Sequence, residues 1–447
     1  MWRWQISKLS TKSKLRRFST SLKSKFEDEG SWSYSTQWWG SDSDHHSHSV
    51  FRATSTHGNG VVSVLSYPSS LPATNHWPKT EEWLRKRYAE VCSDAKHDEC
   101  FKVLGYQWRV LRFNDVTRQS AVKVMAAIKM SDTSSVYYMQ QPHVLAVPYT
   151  KSMVAAGFTA LSSTNYDLVN AVNGNKQMRV LCVGHGGGSL PLFIASKIQG
   201  AVIDIVEIDP LVIATSIQAM GFPLFSVAVP SGCHALSKPN TMDEVLWKGV
   251  HERLFLYESD AEKFILNTEN VYDIIFIDAY DGNDIFPRKL WDPDSPFLLA
   301  LGSKLHPCHG TVVVNLHSDD DLTADAPVAA LHQPVLPMRK YVSRVCQAYK
   351  DMLVGKESSF SKNQLPGVGF TITVPWVCNT TLVLCRGFGV GAGSLDQDLV
   401  LSSLMSKSLE MRWKKAFSLR NVVRFSSDTN AFSIDIAGKL VLLPARL

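Results

Sequence analysis

From Met178 onward, short apolar runs alternate with amphipathic segments, and that alternation leaves few folds open to the chain. Strands are expected at Arg179–Val183, Val202–Glu207, Leu254–Glu258, Tyr272–Asp278 and Thr311–Leu316. Helices are expected between and after them, at Leu190–Gln199, Leu211–Met220, Ala261–Leu266 and Phe297–Leu305. Runs nearly continuous in Val, Ile and Leu suit strands covered by helices on both faces. Repeated βαβα units of this kind make a doubly wound, mostly parallel sheet. A longer helix over Met338–Leu353 precedes two strands, Gly369–Val374 and Thr381–Cys385, close enough to pair antiparallel. The expected fold is α/β, with a mostly parallel seven-stranded sheet.

Ahead of the sheet the texture differs. Residues 1–75 hold a basic leader and a Ser-, His- and Gly-rich stretch, expected to be disordered. Residues 76–150 form a small N-terminal β-containing unit. It starts with a helix at Thr80-Glu81-Glu82-Trp83-Leu84 and continues in strands over Gly105–Phe113 and Ser120–Ile128. Leu145–Leu161 is apolar at helical spacing and leads into the main domain, placed at 151–390. Ser226–Gly249 is read as an insertion and 391–447 as a tail of unassigned role.

Of the 447 residues, 45% are hydrophobic and 19% charged, the balance of a globular protein. Clean apolar runs such as Ile274–Ile277 are too short to span a bilayer, so no membrane partner is expected. The net charge of +5 resides in the leader: the first 26 residues carry eight cations and no acid. The rest holds 38 Lys+Arg against 41 Asp+Glu, a net of −3, which argues against nucleic acid as a partner. The leader is Arg-, Lys- and Ser-rich, with Arg16-Arg17-Phe18-Ser19-Thr20 resembling a presequence cleavage site. It is read as a mitochondrial transit peptide, with plastid or cytoplasm as alternatives; without an uninterrupted apolar core it is no secretory signal. The eight cysteines include no CxxC pair, and no metal is expected. His45, His46 and His48 are taken as solvated low-complexity sequence.

The chemistry gathers at the strand ends. Val180-Leu-Cys-Val-Gly184-His185-Gly186-Gly187-Gly188-Ser189-Leu190 joins the first strand to its helix, with Pro191 in the helix's first turn. Glycines permit positive φ and a close ligand approach, and the helix N-terminus offers free N–H groups to an anionic group. A dinucleotide GxGxxG starting at Gly184 needs a glycine where Ser189 stands, so a nicotinamide cofactor fits less well. Glu207 ends the second strand, where a carboxylate accepts from both ribose hydroxyls. Its plainer reading is a solvated strand-end acid, and Asp209 is expected to cap the next helix. Asp260, with Ala261 beside it, accepts from an adenine amino group or caps a helix. Loop, ribose acid and adenine acid in successive turns define an adenosine site at the sheet's carboxyl edge. The fourth strand ends in Asp278-Ala-Tyr280-Asp281-Gly282-Asn283-Asp284. An amine must lose its proton before attacking a sulfonium carbon, and Asp278 is best placed to take it, with Asp281 in support. Asp284 suits a turn stabilised by its own side chain.

Gly186-Gly-Gly-Ser-Leu-Pro-Leu-Phe193 followed by Ile205-Val-Glu-Ile-Asp-Pro210 closely resembles the C-terminal catalytic half of the elongation factor 1-alpha lysine and N-terminal methyltransferase family. That half belongs to the spermidine-synthase-like group of class I methyltransferases, and the resemblance covers roughly residues 140–390. It implies a Rossmann-like sheet and S-adenosylmethionine held by Gly184, Gly186, Gly187, Gly188, Glu207, Asp260 and Ala261. It also implies that Asp278 matches the catalytic aspartate of spermidine synthases and Tyr149 their gate tyrosine. The chain departs from those synthases at Tyr149-Thr-Lys151, which offers a lysine and no acid where a diamine's second amine is held. The (D/N)PP(Y/F) motif of amino-base methyltransferases is absent from the fourth strand's end. The expected activity is methylation of an amine on a protein. A small-molecule amine acceptor, aminopropyl transfer and a catalytically silent relative are the alternatives, and a second copy of the chain is a candidate partner.

Overall fold

The computed structural model describes residues 47–69, 71–92, 99–115, 117–223, 227–229, 232–234, 240–317, 340–353, 367–373, 379–387 and 440–442. The basic leader, His45 and His46, and most of the 391–447 tail lie outside these residues.

The chain begins with an antiparallel sheet of five strands in sequential order. These are β1 (His48–Thr54), β2 (Val61–Ser69), β3 (Phe101–Phe113), β4 (Thr117–Lys129) and β5 (Asp132–Gln140), with α1 (Trp77–Val91) between β2 and β3. The expected disorder before residue 75 is therefore corrected over β1 and β2, and the expected strand pair grows to five. Serines hide the alternation of Val61-Val-Ser-Val-Leu-Ser-Tyr67, yet Val62 and Val64 are fully buried in it.

The helix expected from Leu145 starts at Pro148, as α2 (Pro148–Ser162), because Val147 is held extended before the proline. The chain then runs through α3 (Leu168–Val172), β6 (Met178–Val183), α4 (Ser189–Lys197), β7 (Ala201–Glu207) and α5 (Pro210–Met220). Two short strands, β8 (Val227–Val229) and β9 (Gly232–His234), and α6 (Thr241–Trp247) lie in the segment read as an insertion. There follow β10 (Leu254–Glu258), α7 (Ala261–Asn267), β11 (Ile274–Ile277), α8 (Pro296–Lys304) and β12 (Thr311–His317). The described part ends with α9 (Lys340–Leu353), β13 (Gly367–Thr373), β14 (Asn379–Arg386) and β15 (Leu440–Leu442).

These strands form a single mixed sheet of ten, in the order β15-β13-β14-β12-β11-β6-β7-β10-β8-β9. The expected seven are β13-β14-β12-β11-β6-β7-β10; β8 and β9 extend one edge, and β15 pairs with β13 at the other. The inner strands β10, β7, β6, β11 and β12 are mutually parallel, and β14 runs antiparallel to β12. Strand order steps outward from β6 in both directions, so β6 and β11 flank the point where the connections change side. In open α/β sheets the crevice beyond that point receives the ligand.

Period-two alternation explains how β11 is buried on both faces. Ile274 and Phe276 pack with Phe158 and Val154 of α2, whereas Ile275 and Ile277 pack with Phe297 and Leu301 of α8 and Tyr349 of α9. Helix α2 lies so close that a Cβ on its Gly157 would stand 2.7 Å from Val313 Cγ2. Among the described residues no helix is long and apolar enough to cross a membrane. Phe276 is fully buried, with its ring edge-on to Phe158 at 5.9 Å. Phe276→Ala should therefore lower the unfolding free energy by about 3–5 kcal/mol, read as a lower urea midpoint at unchanged slope.

Candidate functional site

A cavity of about 270 Å³ opens where β6, β7, β10 and β11 end, close to the roughly 300–1,000 Å³ of small-molecule sites. Its wall contains Gly184, His185, Gly186, Glu207, Asp260, Ala261, Asp278, Asp281 and Tyr149. Residues from four strand ends and one helix, distant in sequence, thus meet at one edge.

The glycine loop divides in two. Gly184 (φ +88°) and Gly186 (φ +51°) face the cavity in the left-handed region. Gly187 and Gly188, expected to hold a ligand, are not among the residues that line the cavity, and both are closely packed. A Cβ on Gly188 would stand 2.4 Å from the Phe222 ring, and one on Gly187 would stand 2.7 Å from Ser120 Oγ. Their smallness lets the loop seat against α5 and the N-terminal sheet.

Glu207 is buried and accepts hydrogen bonds from the backbone N–H groups of His185 and Asp209, both at 3.0 Å. Burial raises its pKa, and these N–H groups together with that of Gly186 counter the rise. The carboxylate therefore fixes the loop backbone while presenting oxygen to the cavity. His185 in the same loop is buried with Nε2 2.7 Å from Ser216 Oγ. Ser216 spends its proton on the Ile213 carbonyl at 2.8 Å, so it accepts from Nε2–H, and the lone pair sits on Nδ1. That Nδ1 has no partner, and burial pushes the imidazole pKa down to about 3, leaving the ring neutral.

Asp260 caps α7, accepting from Glu262 N at 2.9 Å and Lys263 N at 3.3 Å, and it pairs with Lys289. The plainer of its two sequence readings is therefore present, on a residue that also lines the cavity with Ala261 and Lys289. Asp278 sits one residue past β11. Its Oδ1 accepts from Asn315 Nδ2 at 2.8 Å, while the Tyr149 hydroxyl beside it donates to the Gln119 carbonyl at 3.3 Å. Burial raises the Asp278 pKa, opposed by Asn315, His317 and Tyr149. Burial, with Asp278 beside it, holds the Tyr149 phenol well above its ordinary value.

Asp281 takes the turn-closing place expected of Asp284. Asp281 Oδ1 closes the turn, accepting from Asn283 N and Ile285 N at 2.9 Å each, although the residue still lines the cavity. Asp284, at φ +63°, reaches His317 Nδ1 at 3.1 Å. Lys151 is buried on α2 but is not among the lining residues, so the positive charge expected at the acceptor end is not in the wall.

The sequence reading missed the N-terminal sheet's contribution. His57, Asn59, Phe113, Gln119 and Ser120 all line the cavity. The loop between β1 and β2 is tied to Asp209, which accepts from Ser55 Oγ at 2.5 Å and Asn59 Nδ2 at 2.7 Å. Asp209 also caps α5 through Leu211 N at 2.9 Å. Gln119 Nε2 is a buried donor without a partner in the wall, as suits a site built for a polar ligand. No signal in the loop's polar sequence marks it, whereas Asn315 in the run Val312-Val-Val-Asn315 was a visible polar break in an apolar strand.

No protein-family model matches the sequence, and no curated protein does. Solved structures align with it at low identity. Human methyltransferase-like protein 13 in complex with SAH shares 19% identity over 62% of this chain and 93% of that chain, with a TM-score of 0.37. Spermidine synthase from Thermotoga maritima shares 9% over 68% and 84%, with a TM-score of 0.33. The O-methyltransferase TomG from Streptomyces achromogenes, in complex with SAM, shares 16% over 54% and 82%, with a TM-score of 0.29. The functional reading rests on the chain's own strand order and side chains.

Asp209 is fully buried, so Asp209→Ala strands the partners it holds from the β1–β2 loop. A stability loss of about 1–3 kcal/mol and faster amide exchange over residues 55–60 are expected by hydrogen-exchange mass spectrometry. Unchanged exchange there would show that Asp209 does not anchor the loop.

Proposed function

We propose that this chain is a class I transferase of the spermidine-synthase-like group that uses S-adenosylmethionine to methylate an amine carried on a protein. The observation that carries the reading is Asp278: a buried carboxylate at the switch point of the sheet, held by Asn315 and flanked by Tyr149, in the same wall as the glycine loop and Glu207. An adenosine ligand suits this wall. Glu207 offers oxygens for a ribose diol, the loop offers N–H groups, and unpartnered Gln119 Nε2 and His185 Nδ1 remain for the polar tail. When bound, S-adenosylmethionine supplies an electrophilic methyl group on a sulfonium.

The remaining work falls to the chain's own residues. Asp278 and Asp281 make the acceptor end acidic, which favours a cationic amine over an anionic acceptor. Asp278 takes one proton from that amine, freeing the lone pair that attacks, and Asn315 holds its carboxylate in place. Only ionised Asp278 can accept the proton. Because burial raises its pKa, transfer should rise with pH on the acid side through a midpoint above the usual carboxylate range.

Aminopropyl transfer from the decarboxylated cofactor is the second reading. The absence of Lys151 from the wall favours it, because the charge expected to repel a diamine is not there. The acid-free leader supports delivery to mitochondria.

Glu207→Ala should weaken binding of S-adenosylmethionine by about ten-fold or more in isothermal titration, as charge-assisted hydrogen bonds are lost. Unchanged affinity would show that the adenosine site is misplaced. Asp278→Asn should cut methyl transfer to an organellar protein extract by about 100-fold with cofactor affinity little changed. Efficient spermidine formation from putrescine and the decarboxylated donor would establish the second reading instead. Tight binding with no transfer from either donor would mark a silent relative.

A further inference from the structure

A second titratable pair stands behind Asp278, outside the residues that line the cavity, and the function proposed above does not use it. The pairing Ile277↔Val314 puts Asn315 beside Asp278, and His317 follows two residues along β12 on the same face. Its imidazole stacks on the Tyr280 ring, 4.1 Å between centroids at 18°. The Tyr280 hydroxyl accepts from His317 N at 2.9 Å and donates to the Asn315 carbonyl at 3.0 Å, fixing the strand end that carries both residues. On the ring's other flank, Asp284 Oδ2 lies 3.1 Å from Nδ1, from a residue held in the left-handed region at φ +63°. A non-glycine residue in that conformation needs support from its surroundings. The turn that Asp281 closes supplies it, through Ile285 N at 2.9 Å.

A ring stacked on one side and gripped by a carboxylate on another is oriented rather than free. Histidine with an acid on Nδ1 is stabilised as the imidazolium. Asp278, bonded to Asn315 at 2.8 Å, lies on the same strand-end face.

We propose that His317, held by Asp284 and Tyr280, is a positioning residue for the acceptor chemistry, its imidazolium keeping buried Asp278 ionised and ready to take the amine's proton. Among the described residues, the groups facing Asp278 are Tyr149 from α2, Cys182 from β6, Asn315 and His317 from β12, and Asp281 and Asp284 from its own loop. Of these, His317 alone can carry positive charge, and its field acts on Asp278 in the lowering direction while Asp284 opposes it. The catalytic part of this inference rests on the function proposed above; the coupling between His317 and Asp278 does not.

The two are separated by experiment. In the full chain labelled with ¹³C at histidine Cε1, and with no donor or acceptor added, the His317 resonance is identified by its loss in His317→Gln. Its midpoint is expected above the ordinary value of about 6.5, and about one pH unit lower in Asp278→Asn than in the unaltered chain. A wild-type midpoint at or below the ordinary value overturns the proposal without any variant having to fold. Equal midpoints in the wild type and Asp278→Asn overturn it as well. With methyl-labelled S-adenosylmethionine and an organellar extract, His317→Gln should move the acid limb of transfer about one unit to higher pH. KM for the donor should be unchanged in that variant. Lowered turnover with an unmoved acid limb would reduce His317 to a structural role. Histidine coupling without transfer from the wild type would instead refute the methyltransferase reading and leave the coupling standing.

Discussion

The close approach of Gly184 to Asp278 sets the geometry of the whole site. Gly184 N continues the ladder to β7 through the Val206 carbonyl, and Asp278 N continues it to β6 through the Val183 carbonyl, each at 2.9 Å. A Cβ on Gly184 would stand 2.1 Å from the Asp278 carbonyl oxygen, so two βα turns cross with no side chain between them. The residue's left-handed φ and this approach make the same demand, which glycine alone meets without strain. From that crossing the loop after β6 turns one way over the sheet edge and the loop after β11 the other. The crevice they leave is the cavity.

Both acids at the centre of that cavity are buried against their electrostatic preference. Desolvation pushes Glu207 and Asp278 upward, and each is offset by hydrogen bonds from groups that the fold itself fixes. For Glu207 these are backbone N–H groups of the glycine loop and of Asp209; for Asp278 the donor is Asn315 on β12. The first arrangement stiffens a binding loop. The second leaves a carboxylate whose ionisation is open to a neighbour's charge, which is why His317 and Asp284 matter to it. Neutral His185 adds no competing charge at the loop, since burial holds it deprotonated.

The N-terminal sheet completes the enclosure instead of standing apart as a separate unit. Val62, Val64, Leu111, Phe113, Val122 and Val124 pack with Val212, Ala219 and Met220 of α5, so one apolar cluster joins the two sheets' layers. Asp209 then caps α5 and ties down the β1–β2 loop with the same carboxylate. Ser120 and Val122 reach the back of Gly187. The small residues of the glycine loop answer to this packing as much as to a ligand.

Much of the main sheet was legible in the sequence because its strands are short, apolar and separated by helices of ordinary spacing. The strand ends of Val183, Glu207 and Ile277 lie at or within a residue of where the periodicity put them. Gly184, Glu207 and Asp278 could be picked out because a parallel sheet sends every βα turn to one edge, so strand ends alone predict that they meet. What lay beyond the sequence was anything depending on contacts across layers. Local pattern cannot show that Gly187 and Gly188 face Ser120 and Phe222, that Lys151 lies outside the cavity wall, or that Asp281 closes the turn while Asp284 reaches His317. Nor can it show that serine-rich residues 48–69 are strands, since their burial comes from α5, some 150 residues away in the chain. The sequence by itself determined the alternation, and with it the edge at which the chemistry gathers. Tertiary packing decided which side chains at that edge face the cavity, because that choice depends on neighbours that local sequence does not contain.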